Sequence, residues 1–250
     1  LAASFFFVKE DELGESVFRE IRLFTSPPKT FLFSLLIVGL MALSVAGLYF
    51  EANRYIAEIY FSKKDYASAT KLWPYDERYF QGLSQSEFIK LNDLFAKTDL
   101  TQEAQRAEFQ NITTAAVSAA RQAQTLNPRN SFNSVLLGNI YENLIPFIAD
   151  SANFALSAYS GAVSLDPRNP SNYLALARVK ISKEDFDGAA VDLEKAVNLK
   201  NDYAPARFLL VQVYDRQGKL TDAIKRAEEL VSLNINDVGA LFQLGFLYYK

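Results

Sequence analysis

The feature of this sequence that most constrains its fold is a repeat. The segment LNPRNS at 126–131 returns nearly unchanged as LDPRNP at 165–170, and equivalent segments begin at Leu199 and Leu233. The first spacing is 39 residues and the next two are 34 residues each. A regular period of this size indicates a stack of similar helical or mixed units, because one such unit cannot bury its own apolar face.

Each period has the pattern of two amphipathic helices. Within 170–203, apolar or small residues recur at spacings of three, four and seven, and the polar turn SKEDF separates two halves. Within 204–237 the corresponding turn is RQGKL, in which Gly218 can adopt the left-handed conformation that ends a helix. The pattern therefore predicts an all-α chain built from antiparallel helix pairs.

The residues within each period resemble tetratricopeptide repeats (TPRs), whose pattern places large, small and aromatic residues at fixed offsets on two helices. The matching residues of the period at 204–237 are Leu210, Tyr214, Gly218, Ala223 and Ala227. Those of the period at 170–203 are Tyr173, Leu176, Ala177, Phe186, Ala189 and Ala196. The resemblance implies a TPR α-solenoid, although Arg207 and Lys180 stand where aromatic residues are usual.

The resemblance also divides the chain into segments. We expect degenerate TPR-like helix pairs at 52–130 and TPRs at 131–250, in repeats at 131–169, 170–203, 204–237 and a truncated one at 238–250. Five extra residues account for the longer first spacing and place Pro146 in a lengthened turn, where it need not break a helix. Because the sequence begins at Leu1 and ends at Lys250 inside an expected helix, we expect it to be part of a longer protein.

A run of 20 uncharged residues occupies 31–50. As a helix it would be about 30 Å long, which matches the hydrocarbon core of a bilayer. A secretory signal would have a shorter apolar core nearer the N-terminus, and so long an uncharged run is rare inside soluble proteins. We therefore predict that 31–50 is a transmembrane helix that precedes the solenoid and places it at a lipid bilayer.

The apolar segment at 1–8 is expected to be the end of an earlier membrane span, followed by a juxtamembrane loop up to residue 30. This loop contains Lys9, Arg19, Arg22 and Lys29. Positive residues in short loops favour the cytoplasmic side, which would place the repeats outside the cytoplasm. Three cations shortly after the span, Arg54, Lys63 and Lys64, weigh against this orientation.

Composition excludes several classes of function. The chain has no Cys and no His, which removes thiol and imidazole chemistry and every zinc site that uses those ligands. Its net charge of −3 and the lack of a Lys/Arg block argue against nucleic acid as a partner. The pairs Asp185/Asp187 and Glu228/Glu229 are expected in turns or on solvated faces. We expect no catalytic residue, metal site or cofactor in this chain.

The resemblance implies that the first helices of the repeats line a groove that binds a peptide or helix of a partner protein. The expected groove residues are Val135, Leu174, Phe208 and Phe242 along one line and Asn139, Arg178, Gln212 and Phe246 along the next. The alternative for the apolar line is packing between neighbouring helices. Some TPRs hold a terminal carboxylate, but only Asn139 fits that pattern, because Val135, Ala175, Pro205 and Leu209 occupy the other positions.

These observations predict a membrane-anchored TPR scaffold for protein–protein interaction on the extracytoplasmic side of a bacterial membrane. An envelope or secretion assembly complex would have the same plan of anchor and repeats. The layout also resembles the C-terminal part of polytopic O-antigen ligases and polymerases. In that alternative the chain would be the accessory arm of a glycan transferase whose catalytic part lies elsewhere.

Overall fold

The computed structural model describes residues 4–10, 16–22, 26–96 and 101–250, the first two ranges by their backbone alone. Two strands, β1 (Ser4–Glu10) and β2 (Ser16–Arg22), precede eleven helices within the described ranges. The helices are α1 (Pro27–Ser62), α2 (Tyr66–Leu72), α3 (Glu77–Ala96), α4 (Gln102–Leu126), α5 (Ser131–Leu144), α6 (Ser151–Leu165), α7 (Pro170–Ser182), α8 (Phe186–Leu199), α9 (Ala204–Arg216), α10 (Leu220–Leu233) and α11 (Val238–Tyr249). Every described element from α1 onward is helical, which confirms the all-α prediction for that part of the chain.

The N-terminal strands form an antiparallel hairpin. Ser4 pairs with Arg22 at one end, and Glu10 pairs with Ser16 at the other. The expectation that 1–8 is the end of a membrane helix is therefore wrong for residues 4–8, while residues 1–3 lie outside the described ranges. Both strands are rich in aromatic and β-branched residues, SFFFVKE and SVFREIR, which favour an extended backbone.

The uncharged run lies inside a much longer helix. Helix α1 has 36 residues, or about 54 Å, so it continues well beyond the end of the run at Phe50. Pro27 and Pro28 occupy its first turn. Main-chain N–H groups there have no acceptor within the helix, so proline, which lacks an N–H, removes no helical hydrogen bond. Most large side chains of the run are exposed, with Leu43 at 70% and Leu48 at 73%.

The C-terminal part of α1 is the first helix of a repeat. The turn that joins α1 to α2 has Lys64 in the left-handed conformation with φ 61°, as does Glu184 (φ 60°) between α7 and α8 and Gly218 (φ 73°) between α9 and α10. In the α1–α2 pair, Ala57 and Ala69 are fully buried against each other's helices, together with Tyr79 of α3. One continuous helix thus joins the uncharged run to the solenoid.

The solenoid is a row of helices in which each contacts the next in sequence, from α1 to α11. The residues that join α3 to α4, 97–100, lie outside the described ranges. The small residues of the repeat pattern lie at the contacts between helices. The fully buried ones include Ala155, Ala162, Ala189, Ala196 and Ala223. Helices can approach closely only where one surface lacks bulk, so these positions determine how the pairs stack.

One close approach depends on a glycine. Gly138 of α5 faces the ring of Tyr159 on α6, and a Cβ atom at Gly138 would lie 2.6 Å from two ring carbons. Tyr159 itself is fully buried. This position of the repeat therefore has no room for a side chain between α5 and α6.

A buried amide connects three helices near the middle of the chain. Asn133 of α5 is fully buried, and its Nδ2 donates to Glu77 Oε2 at 2.6 Å and to the carbonyl oxygens of Ala123 and Asn127 at 3.1 and 3.0 Å. Its Oδ1 accepts from Gln81 Nε2 at 2.7 Å. Because Glu77 and Gln81 belong to α3, this residue connects the second helix pair to the third.

The equivalent position in the next repeat makes simpler contacts. Asn172 of α7 donates to the carbonyl oxygens of Ala162 and Asp166 at 3.3 and 3.2 Å. In the repeat after that, Arg207 of α9 takes over this role, and its Nε donates to the carbonyl oxygen of Asn201 at 2.7 Å. These polar side chains satisfy backbone acceptors in the loops between repeats, where a helix leaves carbonyl groups without partners.

Candidate functional site: the groove beside Phe208

Residues of the first helices α7, α9 and α11 line two adjoining cavities that share Phe208. We call the two together the Phe208 groove. The cavity between α7 and α9 has a volume of about 380 Å³, and Leu174, Pro205, Phe208 and Leu209 give it apolar walls. Leu174 is buried at 7% exposure, whereas Phe208 is half-buried. This part of the groove is therefore a fixed apolar depression.

The second cavity lies between α9 and α11 and has a volume of about 430 Å³. Phe208, Phe242 and Phe246 line it together with Gln212 and Gln243. Phe242 is 76% exposed and Phe246 is 47% exposed, so both rings present apolar surface to solvent. Exposed aromatic side chains next to a depression are typical of surfaces that bind other proteins.

Six of the eight residues expected in the groove line these cavities. They are Leu174, Arg178, Phe208, Gln212, Phe242 and Phe246. The other two lie elsewhere: Val135 packs against the core formed around α5 and α6, and Asn139 is exposed on α5 with its Oδ1 2.6 Å from the hydroxyl of Tyr159. Both belong to α5, one repeat before the cavities begin.

Arg178 reaches the edge of the first cavity, but its guanidinium is bound by another side chain. Its Nε and Nη2 donate to the two carboxylate oxygens of Glu142 at 2.7 and 2.9 Å. The hydroxyl of Tyr159 also donates to Glu142, at 2.6 Å. The hydrogen bond and the charge of Glu142 raise the pKa of Arg178 despite its partial burial. Arg178 therefore links α7 to α5, and its guanidinium is already engaged by Glu142.

Glu142 also helps to keep the hydroxyl of Tyr159 protonated. Burial raises its pKa well above the ordinary value, and the hydrogen bond and negative charge of Glu142 raise it further. The hydroxyl is thus a permanent donor at ordinary pH. Tyr159, Glu142 and Arg178 form a fixed polar network beside the apolar groove, and the repeat pattern gives no sign of Glu142, because it lies outside the motif positions.

The second cavity contains a polar group that the sequence analysis missed. Gln243 Oε1 is buried and has no hydrogen-bond partner among the described residues. An atom this buried is out of reach of a donor on a ligand, so Gln243 contributes only to the wall of the cavity. Gln243 is adjacent to Phe242 in sequence, but it has no counterpart in the repeat motif, so no pattern pointed to it.

The acidic residues around the groove have structural partners. Asp215 accepts from Lys250 Nζ at 2.7 Å, and Asp237 caps α11 by accepting from the amides of Gly239 and Ala240 at 2.9 and 3.1 Å. The groove therefore presents apolar surface, with an exposed cation, Arg216, on the wall of the second cavity. Pro205 and Leu209, which hold clamp positions of carboxylate-binding TPRs, add apolar walls instead.

The carboxylate pairs considered in the sequence are also engaged in structure. Asp185 caps α8 by accepting from the amide of Gly188 at 2.9 Å, and Asp187 accepts from Gln217 Nε2 at 2.8 Å. Glu229 accepts from Arg207 at 2.9 Å and from Arg226 at 3.1 Å. Among the described residues, no group of three or more acidic side chains is placed to hold a metal ion.

Comparison with known proteins supports the repeat assignment. A family model described as tetratricopeptide repeat matches residues 180–237, which cover the second half of one predicted repeat and all of the next. A search of curated protein sequences finds no match.

Several solved structures share the fold. MamA is 21% identical, with 67% of this chain and 82% of that chain covered and a TM-score of 0.50. YrrB, described as a TPR protein with an unusual peptide-binding site, is 16% identical, with 74% and 82% covered and a TM-score of 0.52. A thermophilic TPR protein from Thermus thermophilus is 17% identical, with 80% and 100% covered and a TM-score of 0.52. The chain therefore has the fold of TPR proteins, and residues 180–237 match the tetratricopeptide repeat family in sequence as well.

Proposed function

We propose that this chain is a membrane-anchored scaffold whose Phe208 groove binds an apolar segment of a partner protein. The observation that carries the proposal is the pair of exposed rings, Phe242 and Phe246, beside the half-buried Phe208 at two adjoining cavities. The peptide-binding site named for YrrB, which has the same fold, supports a peptide as the ligand.

The lining of the groove determines which side chains of a ligand it can bind. Apolar side chains of the partner would fill the two cavities, since burial of apolar surface is the main favourable contribution that such walls can make. The usual carboxylate clamp is replaced here, because Arg178 is held by Glu142 and because Pro205 and Leu209 occupy positions of charged clamp residues. We therefore expect a segment whose contacts with the groove are mainly apolar.

The prediction for binding concerns Phe242. A photocrosslinking amino acid at Phe242 should capture the partner in cells, whereas the same group at Val191 should not. Val191 on α8 is a matched control, since it is apolar and 66% exposed but lies outside the groove. With the captured partner purified, Phe242→Ala should weaken binding at least about tenfold, as expected for an aromatic contact at the centre of an interface.

Two further variants make this test decisive. Phe242 is mostly exposed, so its loss should leave the helical content and the melting temperature unchanged. Phe208→Ala combined with Phe242→Ala should weaken binding further, while Val191→Ala should bind like the parent. Equal affinity of all these variants would remove the Phe208 groove as the binding site.

The anchoring part of the proposal depends on α1. It is long and apolar enough to cross a membrane, and none of the residues in its most apolar window is buried. The orientation, with the repeats outside the cytoplasm, is supported by Lys29 and by the cations of the preceding residues. The glycan-transferase alternative rested on the layout of span and repeats and on an earlier membrane helix at 1–8. Residues 4–8 are in a strand, which removes the second support, and the alternative stays a prediction.

The absence of cysteine from the sequence permits a clean test of orientation. Single cysteines at Lys195 on α8 and at Lys29, both exposed, would report the two sides of the span. In intact cells, a membrane-impermeant maleimide should label Lys195→Cys and should label Lys29→Cys only after permeabilisation. The reverse pattern would invert the orientation, and labelling of both in intact cells would argue against a span.

A further inference from the structure

A cluster of aromatic rings surrounds the point where the uncharged part of α1 ends. Phe50 is the last residue of the uncharged run, and its ring centroid lies 6.3 Å from that of Trp73, edge to face. The ring of Tyr75 lies 5.2 Å beyond Trp73, also edge to face, and the ring of Tyr49 lies 6.2 Å from Phe50. We call these four residues, Tyr49, Phe50, Trp73 and Tyr75, the junction cluster.

The antiparallel first repeat explains why residues so far apart in sequence meet there. Helix α1 continues from Phe50 to Ser62, a rise of about 18 Å, before the chain turns at Lys64. Helix α2 then runs back along α1, and Trp73 follows its last residue. The α2–α3 loop, 73–76, is therefore brought back to the level at which the uncharged run ends.

The exposure of this cluster is unusual for a surface in water. Tyr75 is 65% exposed, Tyr49 is 64% exposed and Phe50 is 51% exposed. Tryptophan and tyrosine side chains combine an apolar ring with a polar N–H or O–H group, and they concentrate where hydrocarbon meets lipid headgroups. The cluster has this composition, and it lies at the height along α1 at which a bilayer of ordinary thickness would end.

The neighbouring charges are arranged so that they do not oppose contact with lipid. Asp76, directly after Tyr75, accepts from Arg78 Nη2 at 2.7 Å, and Arg78 also reaches Glu58 at 3.2 Å. The negative charge of Asp76, the last residue of the loop, is thus balanced by Arg78 of α3. Lys71, in the last turn of α2, is exposed and can face lipid phosphates.

We propose that the α2–α3 loop lies in the headgroup region of the same membrane that α1 spans, with Trp73 and Tyr75 at the boundary with the acyl chains. This inference rests on the proposed membrane span. The solenoid would then contact the bilayer at two places, through α1 and through this loop. A single helix leaves a domain free to tilt, whereas a second contact restricts the direction in which the repeats leave the membrane.

Trp73 is the only tryptophan of the chain, so its fluorescence reports this loop alone. The full chain would be reconstituted into phosphatidylcholine vesicles containing lipid brominated either near the top of the acyl chain or near its methyl end. We expect Trp73 to lose more fluorescence with shallow bromine than with deep bromine. We also expect its emission to shift to shorter wavelength relative to the chain unfolded in denaturant.

A second variant separates this inference from the span on which it rests. Trp73→Phe combined with Leu40→Trp moves the single tryptophan to the middle of the uncharged run, at a side chain that is 56% exposed. Deep bromine should quench this variant most strongly if α1 spans the bilayer. Trp73→Phe combined with Tyr75→Trp should repeat the shallow pattern.

The outcomes are distinguishable. If Leu40→Trp is quenched by deep bromine while Trp73 responds only to an aqueous quencher, the span stands and the loop contact is overturned. If Trp73 is quenched most by deep bromine, the loop lies in the hydrocarbon core and the interfacial placement is overturned. If Leu40→Trp is quenched by neither lipid, both the span and the loop contact are overturned.

Discussion

Replacing Asn133 with leucine is expected to lower the free energy of unfolding by about 3 kcal/mol, because it removes one charge-assisted and several neutral hydrogen bonds in a buried site. The amide of Asn133 donates to Glu77 Oε2 at 2.6 Å and accepts from Gln81 Nε2 at 2.7 Å. Leucine keeps the branching of the asparagine side chain and leaves no cavity, but its methyl groups are bulkier, so the difference from Asn172→Leu, which carries the same added bulk, reports the polar contacts. Urea unfolding followed by helical circular dichroism in detergent micelles measures it.

Asn172→Leu is the matched comparison. Asn172 has the same repeat position and is also buried, but its amide contacts only backbone carbonyl oxygens at 3.3 and 3.2 Å. We expect it to cost about 1 kcal/mol, the usual net value of neutral hydrogen bonds. Equal losses for the two variants would mean that the contacts with Glu77 and Gln81 on α3 contribute nothing to stability.

Gly138→Ala is expected to lower the free energy of unfolding, because Gly138 lies against a buried ring on the next helix. At Gly138 the new methyl group meets the ring of Tyr159, which cannot move easily because it is buried and its hydroxyl is bonded to Asn139 and Glu142. Overpacking of this kind costs about 3 kcal/mol, and the better helix propensity of alanine offsets up to about 1 kcal/mol of that. The net loss is about 2 kcal/mol.

Thermal unfolding of Gly138→Ala beside the parent measures this loss. A neutral result would contradict the packing described for α5 and α6.

The arrangement of the helices links the two proposed contacts of this chain. Helix α1 joins the uncharged run directly to the first repeat, and the junction cluster closes around the end of that run. The Phe208 groove lies three repeats further along the row. Because each helix packs on the next, the direction fixed at the membrane would carry over to the groove, and polar connections such as that of Asn133 would keep the row from bending.

Sequence alone was sufficient for the helix pairs, and six of the eight residues that it predicts for a groove line the two cavities. The 34-residue period, with small residues such as Ala189 and Ala196 at fixed offsets, identifies positions where helices must touch, since only residues without bulk allow close approach. Gly218 has the left-handed conformation as expected, because this is decided by local backbone chemistry. The repeat register likewise placed Phe208 and Phe242 on one surface.

The tertiary structure decided which polar groups meet and where distant segments come together. Nothing in the local pattern distinguishes Glu142, which binds Arg178, or Asn133, whose partners on α3 lie more than fifty residues earlier. Trp73 lies inside the segment expected to form degenerate helix pairs, 52–130, yet its ring contacts that of Phe50 at the end of the uncharged run. Periodicity records the contacts that every repeat makes with its neighbour. A contact made only once, between side chains far apart along the chain, depends on how the helices are stacked and becomes visible only in three dimensions.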